Sequence, residues 1–150
     1  MTGSWTEVKD LQQKNITLCP LYLCEEFKSK EEIMNIEVLK SKLHRATVTQ
    51  TILDYEGSIS IDTELVKAAN MHIWEKVEIF NINNGARLAT YIIPGKKGEF
   101  CLNGAAARLA QPGDKIIVVT YTQIDESQAD SWKPKIVLLN EDNSVKEVKN

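Results

Sequence analysis

The feature that most constrains the fold is a pair of alternating segments joined by an Asn-Gly turn. Residues 76–82 and 87–93 follow the alternation of apolar and polar side chains that is typical of a strand with one buried face. Between them, Asn84 and Gly85 both tolerate a positive φ, as the tight turns of β-hairpins require. The sequence therefore predicts an antiparallel hairpin.

Most of the remaining sequence also predicts short strands separated by turns. Residues 58–62 alternate strictly and predict a half-buried strand, and an edge strand followed by a polar tail is predicted after Pro134. Helices are expected only as short pieces, and Asp62 or Thr63 is suited to cap the first of them. This pattern indicates a small β-barrel. The other expected elements are strands over 42–49, 100–102 and 116–119, helices over 64–70 and 126–130, and a helical turn within 103–109.

Residues 1–33 differ from the rest because they mix polar, charged and apolar side chains without a sustained period. We expect one domain over 34–150, and two interpretations stay open for residues 1–33: a flexible N-terminal extension, or a start upstream of the natural one. The whole chain has 150 residues, of which 43% are hydrophobic and 26% charged, as in an ordinary globular protein.

The composition argues against several classes of function. A net charge of -3 disfavours a nucleic-acid surface, and no apolar segment approaches the roughly 20 residues of a membrane-spanning helix. Three irregularly spaced cysteines make a poor disulfide framework and suit a reducing compartment, so a cytoplasmic location is expected. Cys19 and Cys24 lack a second pair of ligands nearby, so no metal site is expected.

Common catalytic motifs are absent from the sequence, including the P-loop, the dinucleotide-binding glycine pattern and the Gly-x-Ser-x-Gly elbow. Polar residues instead stand at the predicted strand edges and turns. Taken singly, each has an ordinary explanation, and a Gly-Ser pair such as Gly57-Ser58 is usually a turn. Four separated segments justify closer attention; they span residues 42–49, 55–58, 84–91 and 103–107.

These four segments resemble the signature segments of the pyruvoyl-dependent aspartate 1-decarboxylases, in the same order and at nearly the same spacing. The resemblance covers about residues 34–137. It implies a mainly β fold, a small six-stranded double-psi β-barrel with short helices. It also implies a homotetramer with sites at subunit interfaces, with L-aspartate as substrate and no nucleic-acid or membrane partner.

The resemblance further implies an inactive precursor that cuts itself between Gly57 and Ser58. The products are a β-chain ending at Gly57 and an α-chain in which Ser58 has become a pyruvoyl group. That group forms a Schiff base with L-aspartate and releases CO2 and β-alanine, a precursor of pantothenate and coenzyme A. Neither pyridoxal phosphate nor a metal is needed. Whether a maturation partner is required stays open.

Site residues follow from the same resemblance, position by position. Tyr91 corresponds to the proton donor and Thr90 to the residue that stabilises the oxyanion during the cut and contacts substrate. Lys42 and Arg87 correspond to positions that bind the substrate carboxylates. The remaining matches are the substrate-contacting Gly104, Ala105 and Ala106, the site-lining or processing residues Tyr55 and Asn103, and His44, which is expected to be structural.

A second hypothesis belongs to a different class of protein. The barrel never cuts itself and serves as a binding or assembly module, since a fold does not determine a function. The presence of Gly57-Ser58 together with Tyr91 and two cations weighs against this hypothesis. A Ser58→Ala protein that still performs its native task would support it.

Overall fold

The computed structural model describes residues 34–150, so the expectations for residues 1–33, including Cys19 and Cys24, lie outside the described part. The described chain contains nine strands, one short α-helix and two 3-10 helices. The strands are β1 (Asn35–Thr47), β2 (Gln50–Ile52), β3 (Ser58–Asp62), β4 (Lys76–Asn81), β5 (Arg87–Gly95), β6 (Phe100–Asn103), β7 (Lys115–Asp125), β8 (Lys135–Leu139) and β9 (Val145–Lys149). The helices are α1 (Thr63–Ala68) and the 3-10 helices Gly104–Leu109 and Glu126–Ser131.

The predicted hairpin is confirmed. Strands β4 and β5 pair antiparallel, with Phe80 opposite Arg87 next to the turn. Gly85 in that turn has a φ of 75°, a conformation that glycine adopts without steric cost.

Helix α1 is also confirmed, and Asp62 is its cap. The Asp62 carboxylate accepts a hydrogen bond from the backbone N–H of Glu64 at 2.8 Å and another from Gly98 at 2.6 Å. The helix ends at Ala68, two residues before the predicted end. Asp62 therefore joins the end of β3 to both the helix and the turn before β6.

All nine strands belong to one sheet, in the order β2-β6-β3-β5-β4-β7-β1-β8-β9. The mainly β architecture with short helices is confirmed. The pairings run from β2 at one edge to β9 at the other without joining these edges, so a closed six-stranded double-psi barrel stays a prediction. The hydrophobic core includes Ile59, Ile79, Ile92 and Phe100, all of them fully buried.

Strand β3 is more deeply buried than its alternation predicted. All five of its residues are buried, the serines as well as the isoleucines, so the prediction of a half-buried strand is wrong. Pairing with β5 and β6 covers both edges of β3, and on its polar face the Asn103 side chain bonds to both serines. Its polar face therefore meets protein rather than water, and the site is built on that face.

The prediction of an edge strand after Pro134 is wrong. Strand β8 pairs in parallel with β1 and antiparallel with β9, so it lies inside the sheet. The segment predicted as a polar tail contains β9 (Val145–Lys149), which is the actual edge. Its five residues are all exposed and mostly charged, a composition that protects an edge strand from pairing with other chains.

Glu75 fastens the segment before β4 to three strands of the sheet, β1, β7 and β5. Its carboxylate accepts hydrogen bonds from Lys40 at 2.6 Å and from Thr120, and its carbonyl accepts one from Ile92 N–H at 3.1 Å. Burial raises the pKa of Glu75, but the hydrogen bonds from Lys40, Thr120 and the His72 N–H outweigh it, and the pKa is lowered. Glu75 is therefore charged at neutral pH and holds the middle of β5.

Candidate active site

Four polar side chains form a buried block on one face of β3 and β6. The antiparallel register places Ser58 opposite Asn103 and Ser60 opposite Cys101. Residues two apart on a strand share a face, so all four side chains lie together. None is more than 9% exposed. Sequence analysis singled out Ser58 and Asn103 but not the other two.

Asn103 binds both serines through one nitrogen. Its Nδ2 donates to Ser58 Oγ at 3.0 Å and to Ser60 Oγ at 3.1 Å. The Ser58 hydroxyl is itself directed at the carbonyl of Glu56, over a long 3.4 Å contact. A buried amide with two acceptors fixes the position of the Ser58 oxygen, so Asn103 lies where a processing residue would act.

The segment before Ser58 rests directly on Gly104. Gly104 has a φ of 59°, and a Cβ added there would lie 2.7 Å from the Tyr55 carbonyl oxygen and 2.9 Å from Gly57 Cα. The Tyr55 side chain is 53% exposed, so the backbone of Tyr55 makes this approach. Ala105 is exposed and Ala106 buried in the 3-10 helix that follows.

Gly104→Ala is expected to destabilise the fold by about 3 kcal/mol and to move the segment before Ser58. The added methyl group meets backbone atoms that have no flexible side chain to yield. Gly113→Ala is the matched control, because Gly113 also has a positive φ, of 94°, but its Cβ position is open. The control should lose only about 1 kcal/mol from backbone strain. Urea unfolding of both variants measures the difference, and equal losses would contradict the close packing at Gly104.

Gly57 itself has an ordinary backbone. Its φ lies outside the left-handed region, and a Cβ added there would meet no atom within 4 Å. The backbone at Gly57 therefore does not use the conformational freedom that distinguishes glycine.

Tyr91 lies beside Ser58 on the neighbouring strand. The parallel ladder of β3 and β5 begins with Ile59 opposite Ile92, so Ser58 and Tyr91 each stand one residue before it. Thr90 is next along β5, and alternation gives it the face of Leu88 and Ile92, opposite to that of Tyr91. The structure thus brings Tyr91 to the strand of Ser58 and places Thr90 on the other face of β5.

Trp74 is a site residue that sequence analysis missed. Its ring packs against that of Tyr91 with centroids 5.7 Å apart, although Trp74 is 70% exposed. Its backbone has a φ of 70°, rare for a bulky residue, and its N–H donates to the Ile92 carbonyl at 2.8 Å. A single tryptophan between Ile73 and Glu75 gives no periodic signal by which to find it.

Neither of the two predicted carboxylate-binding cations is paired with Ser58 or Asn103 in the described strands. Arg87 begins β5, five residues before Ile92, which is about 16 Å along an extended strand. Its guanidinium lies over the Phe80 ring, 4.6 Å from the centroid, beside a cavity of about 240 Å³ that Glu78 also lines. Lys42 is on β1, which β5, β4 and β7 separate from β3 in the sheet order.

His44 shares β1 with Lys42 and has a buried Nδ1 without a hydrogen-bond partner among residues 34–150. Burial lowers the pKa of His44, and the charges of Lys42 and Arg45 lower it further. The imidazole is therefore neutral at pH 7. No pairing of the described strands carries it to Ser58, in keeping with the expected structural role.

Comparison with known proteins identifies the family to which these residues belong. A family model described as aspartate decarboxylase matches residues 34–146. The aspartate 1-decarboxylase of Clostridium beijerinckii is 56% identical over 119 residues, which are 78% of this chain and 96% of that protein. The chain belongs to the aspartate decarboxylase family.

Two further relatives carry the same name. The aspartate 1-decarboxylase of Clostridium botulinum is 58% identical over 119 residues, again 78% of this chain and 96% of that protein. That of Ralstonia nicotianae is 55% identical over 118 residues, covering 77% and 98%. The resemblance drawn from the four sequence segments is confirmed, since all four lie inside the matched range.

Neither a metal-binding cluster nor a membrane-spanning helix is found in residues 34–150 of this aspartate decarboxylase family member. In that range, no three His, Cys, Asp or Glu side chains are grouped so that they could hold a metal ion. The same range has no helix of the length and hydropathy needed to cross a membrane.

Proposed function

We propose that this chain decarboxylates L-aspartate to β-alanine and CO2 with a pyruvoyl group that it makes from its own Ser58. The relatives are named for the decarboxylation of aspartate. The observation that carries the self-made group is the buried Ser58 hydroxyl held by Asn103 at 3.0 Å. A serine in a solvated turn would have neither its burial nor its fixed position.

In the proposed cut, Ser58 Oγ bonds to the carbonyl carbon of Gly57 and the C–N bond between the two residues breaks. The hydroxyl proton passes to the departing nitrogen, which leaves an ester and a free amine. Loss of the Ser58 Cα proton then breaks the Cβ–Oγ bond, and Gly57 leaves as a carboxylate. The dehydroalanine that remains is then hydrolysed. Water takes the place of its nitrogen, which leaves as ammonia, and the pyruvoyl group is complete. The family resemblance implies that Thr90 stabilises the negative oxygen formed in the first step, although alternation places its side chain on the face of β5 opposite to that of Tyr91.

The surroundings of Ser58 suit a neutral keto group. The neighbouring side chains Asn103, Ser60 and Cys101 are uncharged, and Asn103 Nδ2 is a donor directed at position 58. A pyruvoyl group there supplies an electrophilic carbonyl and an electron sink, the role that other decarboxylases give to a bound cofactor such as pyridoxal phosphate. The proposal therefore requires neither pyridoxal phosphate nor a metal.

Cutting the chain would also open the site. Ser58 is 0% exposed in the intact chain, and the backbone of Tyr55 and Gly57 is packed against Gly104. After the cut, Gly57 is a chain end that no longer has to follow β3. The same bond cleavage thus creates the reactive group and frees the segment that covers it, so that substrate can reach the backbone of Gly104, Ala105 and Ala106.

Within the open site, each remaining residue has a proposed role. Tyr91 carries a phenolic hydroxyl, a hydrogen-bond and proton donor, and it donates the proton that replaces CO2. Arg87 and Lys42 bind the two carboxylates of aspartate, for which a guanidinium fork and an ammonium are suited.

We propose a homotetramer in which neighbouring subunits share each site. The support is that the strand pairings of one chain leave Lys42 and Arg87 away from Ser58. Co-expressed Lys42→Ala and Tyr91→Phe subunits should then regain activity in about a quarter of the sites of mixed oligomers, because one site can draw an intact residue from each. Separation of the mixed oligomers by a tag on one subunit allows the assay. No regained activity would contradict a shared site.

The proposed domain is residues 34–150, with residues 1–33 as an extension outside it, since the family match begins at residue 34. We also propose a reducing, cytoplasmic location, which suits the free thiol of Cys101.

Intact mass spectrometry followed by an assay for β-alanine tests the proposed function. A chain of 16.9 kDa should resolve into two fragments divided between Gly57 and Ser58, the larger without a free amino terminus. Addition of L-aspartate should yield β-alanine without added pyridoxal phosphate. A chain that stays whole on prolonged incubation after a missing maturation partner has been excluded, or that is cut but releases no β-alanine, would contradict the proposal.

A further inference from the structure

The orientation of the Asn103 side chain depends on neighbours that the proposed function does not use. An asparagine amide has nearly the same shape when rotated by half a turn, so hydrogen-bond partners alone decide which end faces Ser58. Its Nδ2 carries two hydrogens, and these meet the oxygens of Ser58 and Ser60. Its Oδ1 faces the thiol of Cys101, with a sulfur–oxygen distance of 3.3 Å.

Rotating this amide would leave a buried hydrogen unpaired. The two Nδ2 hydrogens would then face Cys101, where sulfur is a weak acceptor that cannot replace two hydroxyl oxygens. An unpaired polar group in a buried position is costly, so the observed orientation is favoured. The Cys101 thiol completes that orientation by donating to Oδ1, its nearest acceptor, because the Leu102 carbonyl is at 4.0 Å.

We propose that Cys101 is a positioning residue for the cut, and that its thiol fixes the Asn103 amide with Nδ2 toward Ser58. This inference rests on the proposed self-cutting function and deepens it. With Nδ2 as donor, Ser58 Oγ accepts from Asn103, and its own hydrogen makes only the long 3.4 Å contact with the Glu56 carbonyl, which it can leave for the departing nitrogen. With the amide reversed, that hydroxyl would donate to Oδ1 and hold its proton away from the peptide bond.

The state of the thiol agrees with a donor role. Burial raises the pKa of Cys101, and the nearby charge of Glu99 raises it further. The thiol therefore keeps its hydrogen at neutral pH. The antiparallel register sets Cys101 opposite Ser60 and two residues from Asn103, so the contact is part of the β3–β6 ladder.

Two pairs of variants separate hydrogen bonding from packing. The first pair is Cys101→Ser and Cys101→Ala, which have similar small volumes and differ in a hydroxyl donor. The second pair is Cys101→Thr and Cys101→Val, which differ in the same way at a larger volume. Each protein is made by cell-free synthesis with a labelling pulse, and the rate of the cut is followed by intact mass. Thermal unfolding of each variant reports the packing change separately.

In each pair, the variant with a hydroxyl donor should be cut about tenfold faster than the variant without one. The serine and threonine variants should be cut at nearly the rate of the unaltered chain. If packing governs the rate, threonine and valine will behave alike and both will exceed serine and alanine. That outcome would overturn the inference, and so would rates of the cut that differ by less than about threefold within each pair. The proposed function would stand in either case. If the unaltered chain is never cut, the proposed function fails, and this inference fails with it. Should one pair not fold, the other pair decides.

Discussion

Replacing Ser58 with alanine is expected to leave the chain whole and without decarboxylase activity. The substitution removes the one oxygen that attacks the Gly57 carbonyl in the proposed cut, and no other group on residue 58 can become a carbonyl. Intact mass should show a single species at the 16.9 kDa of the full chain, where the unaltered protein gives two fragments. Addition of L-aspartate should yield no β-alanine above a protein-free blank.

The variant should still fold. Alanine keeps the Cβ of Ser58 and removes only the oxygen that accepts from Asn103, which costs about 1–2 kcal/mol for one buried donor left unpaired. Ser41→Ala is the matched control, because Ser41 is also 0% exposed and its Oγ has no partner among residues 34–150. The control should be cut and active. Cleavage of the Ser58→Ala chain at the same bond would show that another group or a protease makes the cut.

The local sequence pattern predicted β3 and the β4–β5 hairpin well. The alternation over residues 58–62 corresponds to the bounds of β3, and the Asn-Gly turn lies between β4 and β5 as expected. The burial of β3 and the interior position of β8 were not predictable in this way. They depend on which distant strands pair with them, and side-chain periodicity carries no information about partners.

The site residues likewise fall into two groups, those that the sequence indicated and those that only the structure shows. Resemblance to a family pointed to Ser58 and Asn103, and the β3–β6 register shows why they meet. Cys101 and Trp74 could not be found from the sequence, since a cysteine in an apolar strand usually serves only packing and a single tryptophan has no period. Their contacts arise only when β6 and the segment before β4 reach the residues beside Ser58.

Tyr91→Phe is expected to separate the cut from the decarboxylation. The variant should be cut at a normal rate, because the proposed attack on Gly57 uses Ser58 and Thr90 rather than the phenol. Turnover of L-aspartate should fall by about a hundredfold or more, the usual effect of removing a positioned proton donor. The phenylalanine ring keeps the packing against Trp74, 5.7 Å between centroids, so the fold around the site should persist.

Two measurements on one preparation decide this prediction: intact mass gives the cut fraction, and β-alanine release gives turnover per cut chain. Tyr121→Phe is the control, since Tyr121 lies partly exposed on β7 and takes no part in the proposed chemistry. It should match the unaltered protein in both measurements. Cut Tyr91→Phe protein with turnover within threefold of the unaltered protein would show that water or another group delivers the proton. An uncut Tyr91→Phe chain would instead place the phenol in the cut, because its strand meets that of Ser58 where the β3–β5 ladder begins.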